Sequence, residues 1–294
     1  MQVLLAGATG VIGSHLVPQL LEAGHSVTGL SRHPERLTDI GVEAIGADLL
    51  DRAAVLEAVG ARSFDAVIHQ ATDLHTAPTR YSSMKITNRL RSEGTSTLIA
   101  AARATGATRF VTASIFYGYG FADMGDNEVV ETEVFGRPAS DQLDAVQVAL
   151  ASNEQQVRAF GGVSLRYGLF YADGAVSPVA SADWSGLLPL LHPADAASAA
   201  VLALTRAQPG QAYNIADESS VSWRELQQAS AIAAGRRMPV LVPSWVLRAS
   251  APFAAELLTR TSMRLDTTKA RRDLGWAPQF ASYADGLRAS VALG

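Results

Sequence analysis

Tyr81 and Lys85 stand four apart in YSSMK (81–85), one helical turn, so on a helix the phenol and the ammonium share a face. A lysine beside a tyrosine lowers the phenol's pKa and readies it to pass a proton, as carbonyl reduction requires. Among 24 basic residues only Lys85 and Lys269 are lysine, so the search for a catalytic lysine is short. Further on, TASIFYGYG offers Ser114, Tyr117 and Tyr119. Either tyrosine could protonate a carbonyl while Ser114 hydrogen-bonds the developing oxyanion; the alternative is that one packs on a cofactor and the other shapes the pocket wall. Asp73 in QATDL could act as a base if desolvated, or be an ordinary solvated loop aspartate. His69, Asp73 and His75 suggest a metal cluster, but His69 ends an apolar run and nothing else supports one, so no metal is expected. His192 and Asp195 in LLHPADAASAA read as a helix start.

The elements that must position these groups follow a β-α-β rhythm. Apolar or β-branched runs at 2–6, 26–30, 42–46, 65–69, 109–113 and 163–166 predict strands, with helices at 11–23, 51–60, 84–105 and 141–160. Nearly continuous apolar strands joined by helices predict an α/β fold: a Rossmann-type, doubly wound parallel sheet covered on both faces. GATGVIG sets Gly7, Gly10 and Gly13 between the first strand and first helix, where a diphosphate would meet uncapped backbone amides of Gly7, Thr9, Gly10, Val11, Ile12 and Gly13. At the end of the second strand stand Ser31 and Arg32, with Arg36 nearby, and no acid. Arginine accepts a 2′-phosphate where a carboxylate would repel it, so NADP(H) is expected over NAD(H).

Residues 1–167, with 192–216 returning to them, form the expected dinucleotide-binding domain; 168–191 and 217–294 form a small, mostly helical substrate lobe. The 294 residues carry a net charge of −4 with no basic run, which argues against a nucleic-acid surface. No cysteine is present, excluding disulfides and thiolate chemistry and fitting a cytoplasmic setting. The start, MQVLLAGATG, reads as a strand entering a glycine turn rather than a signal peptide, and no unbroken apolar run predicts a membrane span.

The chain resembles the short-chain dehydrogenase/reductase superfamily in its extended, epimerase/dehydratase-like branch. GATGVIG carries that resemblance, with GADLLD (Asp48 and Leu49), VIHQA (His69, Gln70, Ala71), EGTSTLIAAARATGATRFVTAS, LRYGLFY, YNIAD and TTKARRDLGWAP. The resemblance implies that Asp48 and Leu49 meet the adenine, and that His69, Gln70, Ala71 and Thr112 line the cofactor. It also implies that Tyr167 lies in the stretch approaching the nicotinamide. The family's catalytic group is a serine or threonine after the fifth strand, then Tyr-x-x-x-Lys in the next helix. Ser114 answers to the first part, but Val146 and Leu150 stand at the tyrosine and lysine positions, and Arg91 stands where the family often has asparagine. YSSMK lies upstream of Ser114, in the wrong order, so a relocated Tyr81/Lys85 pair is the less favoured reading.

Between 172 and 205 there is no lysine or arginine of the kind that nucleotide-sugar enzymes of the family use for a diphosphate. Phe121, Met124, Trp184, Leu187 and Leu188 suggest an apolar pocket wall and a small, largely apolar carbonyl or hydroxyl substrate. The leading expectation is an NADP(H)-dependent oxidoreductase or epimerase-like enzyme. The alternatives are a non-redox isomerase, cyclase or lyase on the same fold, and a non-enzymatic NADP(H) sensor. Homodimerisation, common in the family, is compatible with the sequence.

Overall fold

The structure is a computed structural model that describes residues 1–74, 76–138, 141–171, 177–280 and 282–293. Its main sheet has strands β1 (Gln2–Ala6), β2 (Ser26–Ser31), β3 (Glu43–Gly46), β4 (Ala66–His69), β5 (Arg109–Ile115), β6 (Val163–Tyr167) and β7 (Ala212–Ile215). They lie in the order β3-β2-β1-β4-β5-β6-β7, every neighbouring pair parallel. This is the doubly wound Rossmann-type arrangement. The chain reverses direction across the sheet between β1 and β4, and ligands of such sheets bind outside the carboxyl ends at that point.

Helices α1 (Val11–Glu22), α2 (Pro34–Asp39), α3 (Arg52–Val59), α4 (residues 85–105), α5 (Asp144–Phe160) and α6 (Pro193–Arg206) connect these strands. On one face Leu16, Val17 and Leu20 of α1 meet Ala196, Ala199, Ala200 and Ala203 of α6, all buried, together with Val3, Leu5 and Leu165 of the sheet. On the other, Val55 and Val59 of α3, Leu98, Ala101 and Ala102 of α4 and Val157 of α5 cover Leu4, Val67 and Phe110. Because strand side chains alternate between faces, each strand supplies both cores, which is why its sequence is apolar without a break.

α4 is not a regular helix throughout. A π turn at Leu90–Gly94 interrupts it, placing Arg91 in a widened stretch of backbone. The turn is tied down by Thr95 Oγ1, which donates to the Arg91 carbonyl at 2.7 Å, and by Asn153 Nδ2, which donates to Thr95 Oγ1 at 2.8 Å.

Beyond β6 the chain builds a lobe over the carboxyl edge. Leu169–Phe170, Leu187–Leu191 and Ser220–Ser222 form one small sheet, and Val179–Ser181 pairs with Val240–Val242. Helix α7 (Trp223–Ala233) starts at a capping box in which Ser222 and Glu225 satisfy each other's backbone amides. Further helices at Ser244–Ser250, Pro252–Arg260, Thr268–Leu274 and Tyr283–Leu293 complete the lobe. His192 caps α6 by accepting from the Ala194 amide at 3.1 Å, and Asp195 accepts from the Gln279 amide at 2.7 Å, holding the C-terminal segment down. Asp123–Val129 is a strand paired in parallel with Ser262–Leu265, although its sequence carries no apolar alternation; most of its residues are exposed.

A third buried cluster joins sheet edge to lobe: Met84, Phe116, Tyr117, Phe121, Val146, Leu150, Leu188, Phe253 and Met263. Phe121 and Leu188, expected on a pocket wall, belong to this core, with Met124 packed against it.

Candidate functional site

The glycine turn is built as a phosphate cradle. Gly7 has φ +98°, and a Cβ there would lie 2.7 Å from the Ala71 nitrogen and the Gln70 carbonyl carbon, so β1 and β4 approach too closely for any side chain. A Cβ on Gly13 would sit 2.2 Å from the Gly7 carbonyl oxygen. Gly10 caps α1 with no side-chain hydrogen bond, and the first turn carries no acid, so the amides of Val11, Ile12 and Gly13 face an open helix terminus. Val11 is left 51 % exposed at that terminus. An anion fits here, and Gly7, Thr9, Gly10, Val11, Ile12 and Gly13 are the residues that would hold a diphosphate.

Where the resemblance expects the adenine, Leu49 is buried, with a side-chain carbon 3.1 Å from where a Gly94 Cβ would stand, and the exposed Asp48 accepts from the Leu50 amide at 2.9 Å. Ser31 Oγ accepts from the His33 amide, and Arg36 is exposed. Arg32 reaches Asp73 Oδ1 at 3.3 Å, joining the end of β2 to the loop after β4. Asp73 is therefore engaged with a cation rather than desolvated as a free base.

The sequence resemblance expects the nicotinamide end at the carboxyl ends of β4, β5 and β6. His69 is 3 % exposed; its Nε2 lies 3.1 Å from the Leu90 carbonyl, and its Nδ1 accepts from the Ala71 amide. Burial lowers its pKa to about 4, so the ring is neutral, with Nε2–H donating to Leu90. Both ring nitrogens are thus satisfied by backbone, and the residue serves by tying β4 to α4. Gln70, just past β4, donates from Nε2 to the Tyr167 hydroxyl of β6 at 3.1 Å. Burial pushes the Tyr167 phenol well above its usual value.

The expected catalytic hydroxyls are placed differently from the sequence reading. Strand alternation sends Thr112 and Ser114 toward α5 and Ala113 to the opposite face, the one shared with α1. Ser114 Oγ donates to Glu154 Oε1 at 2.7 Å. The same carboxylate holds Arg166, whose Nη2 reaches Oε2 at 2.7 Å, with side chains 6 % and 2 % exposed. Arg166 Nη1 donates to the Tyr119 hydroxyl at 2.8 Å, and that hydroxyl donates to Asn214 Oδ1 at 2.7 Å. Burial drives the Tyr119 pKa up to about 12 despite the guanidinium beside it. Ser114 and Tyr119 thus spend their hydroxyls within one buried network of Glu154, Arg166 and Asn214. Tyr117 is 3 % exposed and stacked on Phe121 at 5.2 Å; its hydroxyl accepts from Arg91 Nη2 at 3.3 Å.

YSSMK does not form a proton-relay pair. Tyr81–Met84 is a 3₁₀ turn, and Lys85 opens α4 with its side chain exposed. The Tyr81 hydroxyl donates to Glu256 Oε1 at 2.7 Å, and its ring stands edge-on to Phe253. Desolvation first, and Glu256 second, raise its pKa to about 12, the opposite of what a neighbouring ammonium would do. At the family's own tyrosine and lysine positions, Val146 is 2 % exposed and Leu150 fully buried. His75 lies outside the described residues; among them no group of three metal-ligating side chains occurs. No helix among the described residues is long and apolar enough to cross a membrane. The cavity of about 590 Å³ beside Glu154 and Arg166, lined also by Glu131, Phe135 and Lys269, shares no residue with the glycine turn.

Sequence reasoning missed Asp217, which follows β7 in YNIAD. It is 5 % exposed near Tyr171, and burial, reinforced by the Asp195 charge, raises its pKa to about 7. A raised carboxyl favours the protonated fold. The stability it contributes is complete below the unfolded value near 3.9 and is lost as pH climbs through 7. Asp217→Asn should therefore gain stability over the parent progressively from about pH 4 to pH 7 and level off above, by up to ~4 kcal/mol in all as read by urea unfolding, while Asp195, also raised, keeps some slope in both proteins.

Comparison with known proteins agrees with this geometry. The model of the NAD dependent epimerase/dehydratase family matches residues 3–181. A 3-diazoavenalumate denitrifying reductase from a Streptomyces species is 34 % identical, over 98 % of this chain and 99 % of that protein. The UDP-glucose 4-epimerase of Thermotoga maritima, solved with UDP-glucose, superposes with a TM-score of 0.80 at 20 % identity, covering 99 % and 98 % of the two chains. That of Thermus thermophilus, solved with NAD, gives 0.79 at 23 % identity with the same coverage. With the glycine cradle, the strand order and these matches in place, the chain belongs to the NAD dependent epimerase/dehydratase family.

Proposed function

We propose that this protein is a nicotinamide-dependent reductase that reduces a small, largely apolar electrophile without a proton from the protein. A diazo-bearing compound, of the kind for which the 34 % identical relative is named, meets that description. One observation carries the reading: the positions of the family's proton relay are buried hydrocarbon, Val146 and Leu150, while Ser114 and Tyr119 are committed to Glu154, Arg166 and Asn214. Bound, a reduced nicotinamide supplies hydride. A carbonyl that accepts hydride becomes an alkoxide and must be protonated. An aryl diazonium that accepts hydride at its ring carbon forms a C–H bond, breaks its C–N bond and leaves as arene and dinitrogen, with no proton needed. Losing the relay, which otherwise costs about 10²–10⁴ in rate, is then without penalty.

The test is NADPH oxidation with benzenediazonium and with a panel of ketones, aldehydes and enones, above enzyme-free controls. One NADPH consumed and one dinitrogen released per diazonium, with deuterium from [4-²H]NADPH on the arene, is the expected result. Efficient carbonyl reduction abolished by Tyr117→Phe would overturn it in favour of a tyrosine-dependent reductase.

Arg32 and Arg36 support NADP(H) over NAD(H). NADPH should bind about ten-fold or more tightly than NADH, a difference of ~1.4 kcal/mol that Arg32→Glu narrows or reverses. Since Asp73 holds Arg32, Asp73→Asn should tighten NADPH further without changing NADH. Fluorescence titration of both nucleotides checks this, and equal affinities in the parent protein would remove Arg32 from the assignment.

A further inference from the structure

Arg91 is 6 % exposed, yet no carboxylate pairs with it among the described residues. Nη2 donates to the Tyr117 hydroxyl oxygen at 3.3 Å, while Nη1 is closed off from solvent and has no partner among the described residues. The Tyr117 hydroxyl accepts that bond, and its own hydrogen meets no acceptor among the described residues. Arg166 shows how this fold treats a structural guanidinium: equally buried, it is gripped by Glu154 at 2.7 Å. A buried guanidinium without such a partner penalises the folded state unless a ligand completes it.

The location suits a ligand. Arg91 sits in the π turn of α4, whose Leu90 carbonyl is held by His69 at the end of β4, and Tyr117 lies in the 3₁₀ turn (Phe116–Tyr119) that directly follows β5. Both donors therefore stand at the carboxyl ends of the central strands, next to the switch point. Around Tyr117 lie Phe116, Phe121 and Phe253. One fixed positive charge and one neutral hydroxyl in apolar surroundings match a single planar anion, which a guanidinium edge recognises, rather than a diphosphate that would call for several cations.

We propose that Arg91 Nη1–H and the Tyr117 O–H together receive a carboxylate of the substrate. The reductase reading above is needed only to call that carboxylate the substrate's; the receptor itself is tested by binding.

NADP⁺-saturated protein is titrated calorimetrically with benzoate and with benzamide. Benzoate should bind at least ten-fold more tightly. Arg91→Gln should remove that preference, Tyr117→Phe should reduce it, and Arg91→Lys should restore part of what glutamine loses, with NADP⁺ affinity unchanged throughout. Without ligand, Arg91→Met should melt no lower than the parent, because hydrocarbon replaces an uncompensated charge. Equal binding of the two probes, or undiminished benzoate binding by Arg91→Gln, would overturn the proposal. So would a parallel loss of NADP⁺ affinity, which would assign Arg91 to the dinucleotide, or a sharply lower melting point of Arg91→Met, which would make it structural. Arg91-dependent benzoate binding with no diazonium turnover would leave the receptor standing and remove the reductase reading alone.

Discussion

Glu154→Ala is expected to lower stability by ~3–5 kcal/mol, the cost of stranding a buried partner. Arg166, 2 % exposed, would lose its counter-charge, and Ser114 would lose the acceptor of its hydroxyl. Urea unfolding monitored by fluorescence measures the loss. Replacing both ends, as Glu154→Leu with Arg166→Met, should recover much of it, since the penalty comes from the unpaired charge rather than from the missing bridge. In the same network, Ser114→Ala should leave turnover near that of the parent. A collapse of turnover at unchanged cofactor affinity would mean that the hydroxyl turns from Glu154 toward the substrate. If Glu154→Ala proves as stable as the parent, the pair is not the clamp between α5 and β6 that its geometry describes.

Restoring the family's relay with Val146→Tyr and Leu150→Lys should not create a carbonyl reductase. Leu150 is fully buried in the cluster with Met84, Phe116 and Phe253. A lysine there brings an ammonium into hydrocarbon, where the acid one turn on, Glu154, is already committed to Arg166 and Ser114, and losing the leucine adds a packing cost, for a total of roughly 3–6 kcal/mol. The expected outcome is a strongly depressed melting temperature and no gain in ketone reduction. A well-folded double variant that oxidises NADPH with ketones would show that the helix had kept its catalytic face toward the cofactor, and that only the two side chains had been exchanged.

Much of this molecule is set by short-range rules and could be read without coordinates. Continuous apolar runs become parallel strands because each must bury both faces, and the glycines at 7, 10 and 13 are demanded by backbone approach within one turn. The absence of Tyr-x-x-x-Lys from α5 is likewise a matter of spelling. What the sequence could not decide is where each polar group spends its hydrogen bonds. Ser114 and Ala113 are neighbours, yet strand parity sends them to opposite sides of the sheet. Tyr81 finds Glu256 at a separation of 175 residues, and Tyr119 finds Asn214 at 95. Arg91 looks like any helical arginine until the π turn and the packing around Tyr117 remove it from water without giving it an acid among the described residues. Backbone shape follows from local sterics and periodicity, whereas the protonation and partners of a buried side chain depend on which distant segments the fold lays against it.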